Sequence, residues 1–287
     1  MVEVLQYNST SGIFLVLGND GDTDSEGEYK GFWVRDLDPQ TKTASRTDLL
    51  MERGSKVLSQ NMSISLDTSW HTDFHFQGNG KRDADDFFYQ PYITAENYVD
   101  SRTSMKNLGY WSKPFILEDF YKDNHKMITY SAPLVYDKTV YGVLGIEVGV
   151  NDLTKFFQVK DLDSDLNAGF ALVVDHGNGN YEGIAGEGAL YDAVSRDGSD
   201  FVLEEPVQEN LRLVQGAAIG KQQIYGLVSN LELYSRNVPY EDTQWALCGF
   251  VTEDSVYGLI SDVYERILGA ILGLSLIHIS EPTRRVV

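Results

Sequence analysis

Three runs of strand-forming residues follow one another in the middle of the chain, at 110–116, 127–136 and 140–150. They are rich in β-branched and aromatic residues, and residues 136–139 form the turn between the last two. Connections this short place consecutive strands side by side in opposite directions. The spacing therefore predicts an antiparallel meander, which makes a sheet-containing fold the starting point.

A second set of segments follows the meander and resembles the first in its order. Asn151 is a suitable N-cap for a helix over 151–159, and further strands are predicted at 169–175, 222–234 and 244–252. A helical pattern begins at Ser255, so each set closes with a strand that ends in a capped helix. We expect an α+β protein of two similar modules with antiparallel sheets and flanking helices. Apolar spacing also predicts a helix over 48–60.

Charge and cysteine content exclude several classes of protein. The formal net charge of −20 argues against a nucleic-acid partner, because phosphate binding needs a basic surface. Cys248 is the only cysteine, so an internal disulfide is excluded. It stands in the apolar run 245–250, where we expect a buried, unreactive thiol.

The C-terminal region contains an apolar run without charges at 267–277. It is shorter than the roughly 20 residues that cross a bilayer. One interpretation is an amphipathic helix packed on its own domain. We favour the start of a membrane helix, because Gly269, Gly273 and Ser275 among Leu and Ile are typical of such helices. Residues 256–277 are then a stalk entering a truncated span. Residues 276–284 resemble translated adapter sequence, so we expect 278–287 to be a non-native tail.

No catalytic or metal-binding motif emerges from the sequence. His71 and His75 are four residues apart, but their segment lacks helical character and no third ligand is indicated. Two runs of alternating aspartates, at 20–24 and 161–165, lack the Gly and Glu of a calcium loop. We therefore expect no metal, no cofactor and no enzymatic activity.

Period-two alternation in 141–150 separates two faces of the predicted strand. Leu144, Ile146 and Val148 are expected on the face that a helix covers, and Gly145 and Glu147 on the face that meets a ligand. A half-buried carboxylate needs a partner or it becomes protonated. That partner is either the ammonium group of a ligand or a neighbouring Lys or Arg, and the sequence leaves both open.

Several segments resemble a known family when they are taken in order. They are FWVRDLDP at 32–39, TDLLMERG at 47–54, FYQPY at 88–92, YWSKPF at 110–115, ITYSAP at 128–133 and YGVLGIEV at 141–148. Their order and spacing are similar to the double Cache (dCache, tandem PAS-like) sensor domains of clostridial transmembrane receptors. The resemblance covers roughly residues 11–265.

The resemblance implies both an architecture and a place in the cell. Residues 11–150 would form the membrane-distal Cache module and residues 165–255 the membrane-proximal one. The domain would face the extracytoplasmic side of the cell membrane, anchored by flanking helices and acting as a homodimer. Its output, a histidine kinase, a diguanylate cyclase or a chemoreceptor module, is not part of this sequence.

The resemblance also implies a set of ligand-binding residues, with one departure. In amino-acid-binding relatives an Arg grips the ligand carboxylate, and Asp86 stands in its place here. Aromatic positions are retained, as is the acid on the last strand. The expected ligand-binding residues are Asp86, Phe88, Tyr89, Trp111, Tyr130 and Glu147. Two carboxylates among aromatic rings suit a cationic or amine ligand.

Three functions from different classes follow. The leading prediction is a small-ligand sensor domain in a membrane-bound signal-transduction receptor. The first alternative is a secreted small-molecule or carbohydrate-binding protein without signalling output. The second is a hydrolase that uses paired carboxylates such as Asp85 or Asp86 with Glu147.

Overall fold

The computed structural model describes residues 5, 8–19, 23–41, 47–100, 104–117, 126–156, 168–195, 199–208, 210–234, 238–240, 245–253 and 255. The chain divides into two compact units. Unit 1 consists of Met1–Gln158 and Leu231–Trp245, and unit 2 of Val159–Asn230 and Ala246–Val287. The segment Leu231–Trp245, called the return segment below, leaves unit 2 between two of its strands. The return segment had been predicted to belong to the second module, at residues 165–255.

Unit 1 is built on a seven-stranded sheet in the order β5-β4-β3-β1-β9-β8-β7. Its neighbouring strands are antiparallel, except that β4 and β5 run parallel. Strands β2 and β6 pair with each other separately. The strands are β1 (Gly12–Leu17), β2 (Gly27–Tyr29), β3 (Gly31–Asp36), β4 (Leu49–Arg53), β5 (Ser65–His71), β6 (Phe74–Phe76), β7 (Tyr110–Trp111), β8 (Met127–Tyr136) and β9 (Thr139–Gly149). The helices are α1 (Lys56–Met62), α2 (Asp86–Tyr98) and α3 (Val150–Phe156), with short 3-10 turns at Asp83–Asp85 and Met105–Leu108.

The predicted meander is present. β7 pairs with β8, and β8 with β9 through the turn that holds Asp137 and Lys138 at φ of 45° and 61°. Such left-handed backbone at both central residues matches the twist of a tight hairpin.

The predicted helix over 48–60 is wrong in its first half. Leu49–Arg53 is strand β4, with Leu49 and Met51 buried, and helix α1 begins only after Ser55. The Ser55 hydroxyl caps the helix by accepting a hydrogen bond from the Leu58 amide at 3.2 Å. Leu49, Met51 and Leu58 suit an alternating strand followed by one helical turn as well as a single helix, so periodicity alone could not separate the two.

Each face of the unit 1 sheet has its own hydrophobic core. Helix α2 packs on one face through a cluster that includes Phe14, Trp33, Phe87 and Val143. Helix α1 packs on the other face with Ile13, Val34 and Met51. A helix was predicted on the face of Leu144 and Ile146, whereas α2 covers the face of Val143 and Gly145.

A group of charged side chains is buried in unit 1 beside Glu147. Arg35 pairs with Glu52 at 3.0 Å and with Asp67 at 3.7 Å. Burial and the nearby Glu147 carboxylate raise the pKa of Glu52, and Arg35 only partly opposes them. Proton uptake by this group is thus favoured in the folded state.

Unit 2 is a closed barrel of six strands, with β10 to β15 in sequence order. This differs from the expected second sheet with flanking helices. The strands are β10 (Ala168–Gly177), β11 (Asn180–Glu187), β12 (Asp200–Gln208), β13 (Leu211–Ile219), β14 (Gln222–Asn230) and β15 (Trp245–Thr252). One helix, α4 (Ala189–Val194), contributes Leu190 to a core with Val173, Leu203 and Phe250. Cys248 is fully buried there, which confirms the expected burial of its thiol, and burial raises the pKa of that thiol.

Within the described residues, no helix is long and apolar enough to cross a membrane. The predicted stalk and span at 256–277 and the tail at 278–287 lie outside those residues.

Replacement of Glu52 by Gln is expected to change how stability depends on pH. The pKa of Glu52 is raised from 4.5 on folding, so its contribution is most favourable below pH 4.5 and is lost as pH rises through the folded-state pKa. The stability of E52Q relative to wild type should therefore rise by more than about 1 kcal/mol from pH 4.5 to neutrality. Urea unfolding across this range measures the difference. The exposed Glu28→Gln in β2 is the control, and parallel profiles for wild type and E52Q would contradict the assignment.

Candidate ligand-binding site

Helix α2 presents two different faces, and their spacing explains the position of the site. Its apolar residues are buried, among them Phe87, Phe88 and Tyr92. Asp86, Gln90 and Thr94 recur every four residues and form a half-buried polar stripe. Because the buried side is fixed against the sheet, the stripe is held at the margin of the core.

Asp86 is the acidic group of this stripe. Gln90 is its hydrogen-bond partner, yet burial and then the neighbouring Asp83 carboxylate raise the pKa of Asp86 to about 6. The Lys113 ammonium attracts it, but lies 4.0 Å from the exposed Asp83. Within the described part of the chain, no ion pair of 4.0 Å or less includes Asp86. The site thus holds a partly desolvated carboxylate without a close protein cation.

Tyrosine rings continue from Asp86 along the edge of the sheet. Burial, followed by the negative charge of Asp86, raises the pKa of Tyr110 in β7. The Tyr110 and Tyr240 rings lie 5.2 Å apart, and those of Tyr240 and Tyr234 lie 5.3 Å apart. We call Asp86, Gln90, Thr94, Tyr110, Tyr234 and Tyr240 the Asp86 cluster.

The return segment contributes the last two tyrosines, whose hydroxyls bond to backbone groups of β7 and of the 3-10 turn that precedes it. The Tyr234 hydroxyl accepts a hydrogen bond from the Trp111 amide at 2.8 Å. The Tyr240 hydroxyl donates to the Leu108 carbonyl at 3.1 Å and also bonds to Thr94. β7 is an edge strand, whose outward groups otherwise depend on water. Sequence reasoning missed both residues, because nothing in their polar surroundings connects them with β7.

Four of the six predicted ligand-binding residues lie away from Asp86. Phe88 and Tyr89 are fully buried on the apolar side of α2. The Phe88 ring stacks on Phe76 at 5.1 Å, and the hydroxyls of Tyr89 and Tyr29 lie 3.4 Å apart. These two aromatic side chains belong to the core and cannot contact a ligand without being uncovered.

Glu147 is also fully buried, and the Trp33 indole is one of its partners. Trp33 Nε1 donates to Glu147 Oε2 at 2.5 Å. Gly12 is opposite, where an added Cβ would stand 2.5 Å from the same oxygen. The space at Gly145, predicted to admit a ligand, is filled by Phe14, whose ring would lie 2.2 Å from an added Cβ.

Trp111 and Tyr130 pack against each other, with ring centroids 5.0 Å apart. Tyr130 pairs with Ile146 while Thr129 pairs with Glu147, so Tyr130 and Glu147 project from opposite faces of the sheet. Trp111 nevertheless joins the Asp86 cluster through its amide and Tyr234. The structure thus brings Asp86 together with the Trp111 backbone, and places the side chains of Phe88, Tyr89, Tyr130 and Glu147 elsewhere.

Two of the carboxylates in the hydrolase alternative, Asp85 and Glu147, are enclosed by protein. Asp85 accepts a hydrogen bond from the Gln77 amide at 3.0 Å and is 3% exposed, and Glu147 is 0% exposed. Within the described residues, no group of His, Cys, Asp and Glu side chains is arranged to hold a metal ion. His71 lies in β5 and His75 in β6, where His75 Nε2 is 2.7 Å from the Glu26 carboxylate.

Comparisons with solved structures find distant likenesses in fold. The extracellular domain of a protein described as the histidine kinase soHK1S-Z6 has 11% identity and a TM-score of 0.41, over 89% of this chain and 75% of that one. The ligand-binding domain of the Pseudomonas aeruginosa chemoreceptor PctB, in complex with L-Arg, has 11% identity and a TM-score of 0.41, over 95% and 79%. That of Campylobacter jejuni Tlp3, with 4-methylisoleucine, has 14% identity and a TM-score of 0.39, over 88% and 68%.

The first of these neighbours is described as the extracellular domain of a histidine kinase, and the other two are described as ligand-binding domains of chemoreceptors. No protein-family model and no curated protein matches the sequence. At these identities and scores the likeness concerns the fold, so the case for a binding site has to be made from the residues of this chain.

Truncation of Phe88 to Ala should act on stability rather than on a binding surface. A fully buried aromatic residue leaves a cavity when it is truncated, so we expect a loss of about 3–5 kcal/mol in the free energy of unfolding. Urea denaturation measures this loss. Tyr136→Ala, at a side chain that is 76% exposed, should change stability by less than about 0.5 kcal/mol. A small effect at Phe88 would show that its side chain lines an open site after all.

Proposed function

We propose that this chain is the extracytoplasmic small-ligand sensing domain of a membrane-bound bacterial signal-transduction receptor. The ligand binds at the Asp86 cluster of unit 1 and carries a positive charge. The receptor is anchored through helices that flank the domain, including the stalk at 256–277, and works as a homodimer. The domain itself performs no chemistry.

The observation that carries the ligand class is the state of Asp86. Its carboxylate is partly desolvated, within the described residues it forms no close ion pair, and Tyr110 stands beside it. A desolvated carboxylate gains most from a charge-assisted hydrogen bond to a cation. Aromatic faces attract the same cation through their quadrupole. A ligand carboxylate would instead meet Asp83, Asp85 and Asp86, with Lys113 as the nearby opposing charge.

The orientation of the tyrosines favours this function over a secreted carbohydrate-binding protein. Sugars are bound by exposed rings whose polar neighbours are free to bond hydroxyl groups. Here the hydroxyls of Tyr234 and Tyr240 are already bonded to backbone groups of unit 1. The rings therefore offer aromatic surface and little unused hydrogen-bonding capacity, which suits an alkylammonium group better.

Replacement of Asp86 by Asn should abolish most of the affinity for a cationic ligand. The change keeps shape and removes charge, and a hydrogen bond to a charged group contributes about 1.5–3 kcal/mol, so the loss should be roughly 10-fold or more. Calorimetry of the domain with ethylammonium, putrescine, tetramethylammonium, L-amino acids and acetate measures it. The control is Asp83→Asn, three residues away and 86% exposed, which should retain affinity within about 2-fold. Binding of acetate but of none of the cations would reject the ligand class.

The affinity for a cation should depend on pH through the same carboxyl. The pKa of Asp86 is about 6 in the free protein, and only the ionised form attracts the cation. Affinity should be constant above neutral pH and fall about 10-fold by pH 5, because the proton must leave before the cation binds. The same titrations at several pH values test this. A profile unchanged between pH 5 and 8 would show that Asp86 is not the group that meets the charge.

A further inference from the structure

The return segment begins and ends at a pair of hydrogen-bonded strands. β14 and β15 pair from Ile224 with Thr252 to Asn230 with Ala246. The Leu231 amide then donates to the Trp245 carbonyl at 2.8 Å, which extends the pairing by one step. The two ends of the segment are therefore clasped together, and the segment is the loop of the hairpin that β14 and β15 form.

The described side chains of this loop attach it to the Asp86 cluster. Tyr240 bonds to Thr94, which lies two helical turns beyond Asp86 on the polar stripe of α2. Its ring also lies beside Tyr110, which feels the charge of Asp86. Tyr234 holds the Trp111 amide at 2.8 Å. Among the described residues, these attachments are hydrogen bonds of phenol side chains, which can break one at a time.

We infer that the return segment couples the Asp86 cluster to the β14–β15 ladder. A ligand that moves Tyr110 or Tyr240 changes the hydrogen bonds that attach the return segment to unit 1. Because Leu231 and Trp245 clasp the loop ends, the change reaches the ladder at its first pair, Asn230 and Ala246. This coupling rests on the proposed function only for the identity of the ligand that moves these tyrosines in the cell.

The buried strand β15 is suited to transmit a change in the return segment to the residues that follow it. All eight residues of β15 are buried, so the strand cannot fray at little cost and is expected to respond as a unit. β15 ends at Thr252, whose hydroxyl lies 3.1 Å from that of Ser255. The next residues along the chain are those of the predicted stalk. Coupling between two sites requires an element whose conformational equilibrium both sites influence. The β14–β15 hairpin can be that element because the return segment is its loop.

Hydrogen exchange of the whole domain without ligand tests the coupling. In Y234F/Y240F the rings remain, while the hydrogen bonds to the Trp111 amide and the Leu108 carbonyl are lost. Each lost hydrogen bond should accelerate exchange roughly 5-fold. Exchange should accelerate at least about 5-fold at Asn230, Ala246 and Leu247, and less toward Ile224 and Thr252. Thr94→Val, which releases Tyr240 without changing the return segment, should have the same pattern more weakly. Tyr225→Phe is the matched control, since Tyr225 lies on β14 and bonds only at 3.5 Å to Gln223.

The result that would overturn the inference is acceleration confined to β7 and the return segment. That result would make the tyrosines a local cover of the sheet edge. A second arm repeats the measurement on wild type with tetramethylammonium, which should slow exchange at Ala246 and Leu247. If calorimetry shows that none of the cations binds, the proposed ligand class fails, while the Y234F/Y240F and T94V data still decide the coupling.

Discussion

The packing of α2 against the sheet determines where the candidate site of unit 1 lies. Phe87 meets Phe14 and Trp33 edge to face at 5.0 and 5.2 Å and stacks on Phe115 at 5.5 Å. With this side of the helix held, a period of 3.6 residues leaves Asp86, Gln90 and Thr94 on a different side. The site is therefore a consequence of the core, since a rotation of α2 that exposed Phe88 would also bury Asp86.

The same core contains charges, and their arrangement limits what unit 1 can bind. Burial of a carboxylate costs free energy unless hydrogen bonds or counter-charges replace water. Glu147 has the Trp33 indole, and Glu52 has Arg35 in competition with Asp67. These groups are satisfied by their own protein. Asp86 differs because it is only half-buried and its close partner, Gln90, is neutral. The distinction between structural and available carboxylates depends on these contacts rather than on residue type.

Much of the fold could be predicted from local sequence patterns. The strand patterns at 127–136 and 140–150 correspond to β8 and β9, and that at 169–175 lies within β10, because alternation and turn residues act over short distances. The strands β11 to β13 were not predicted. Their sequences mix glycine, proline and glutamate, as in β12 with Glu204, Glu205 and Pro206, and their pairing in a closed barrel supplies what local preference lacks.

The site was predictable only in part, for a related reason. Asp86 stood out because a carboxylate replaced the arginine that the family resemblance implies. Glu147 was misjudged because strand alternation shows that two faces exist and not which face a helix covers. The roles of Tyr234 and Tyr240 could not be predicted, because their contacts with Trp111 and Leu108 join residues more than 120 positions apart in the sequence. The pairing register of β8 with β9, had it been known, would have separated Tyr130 from Glu147 at once.

The edge strand β7 explains why such a long-range contact exists at all. It is two residues long, and Pro114, which has no amide hydrogen, follows shortly after it. Its inner side is bonded to β8, and Ser112 and Phe115 continue that pairing to Thr129 and Met127. The outward Trp111 amide and Leu108 carbonyl still require partners, and a further strand would have made a permanent ladder. Phenol side chains satisfy the same groups through bonds that break one at a time. An edge closed in this way keeps its backbone groups paired without being fixed in a continuous strand ladder.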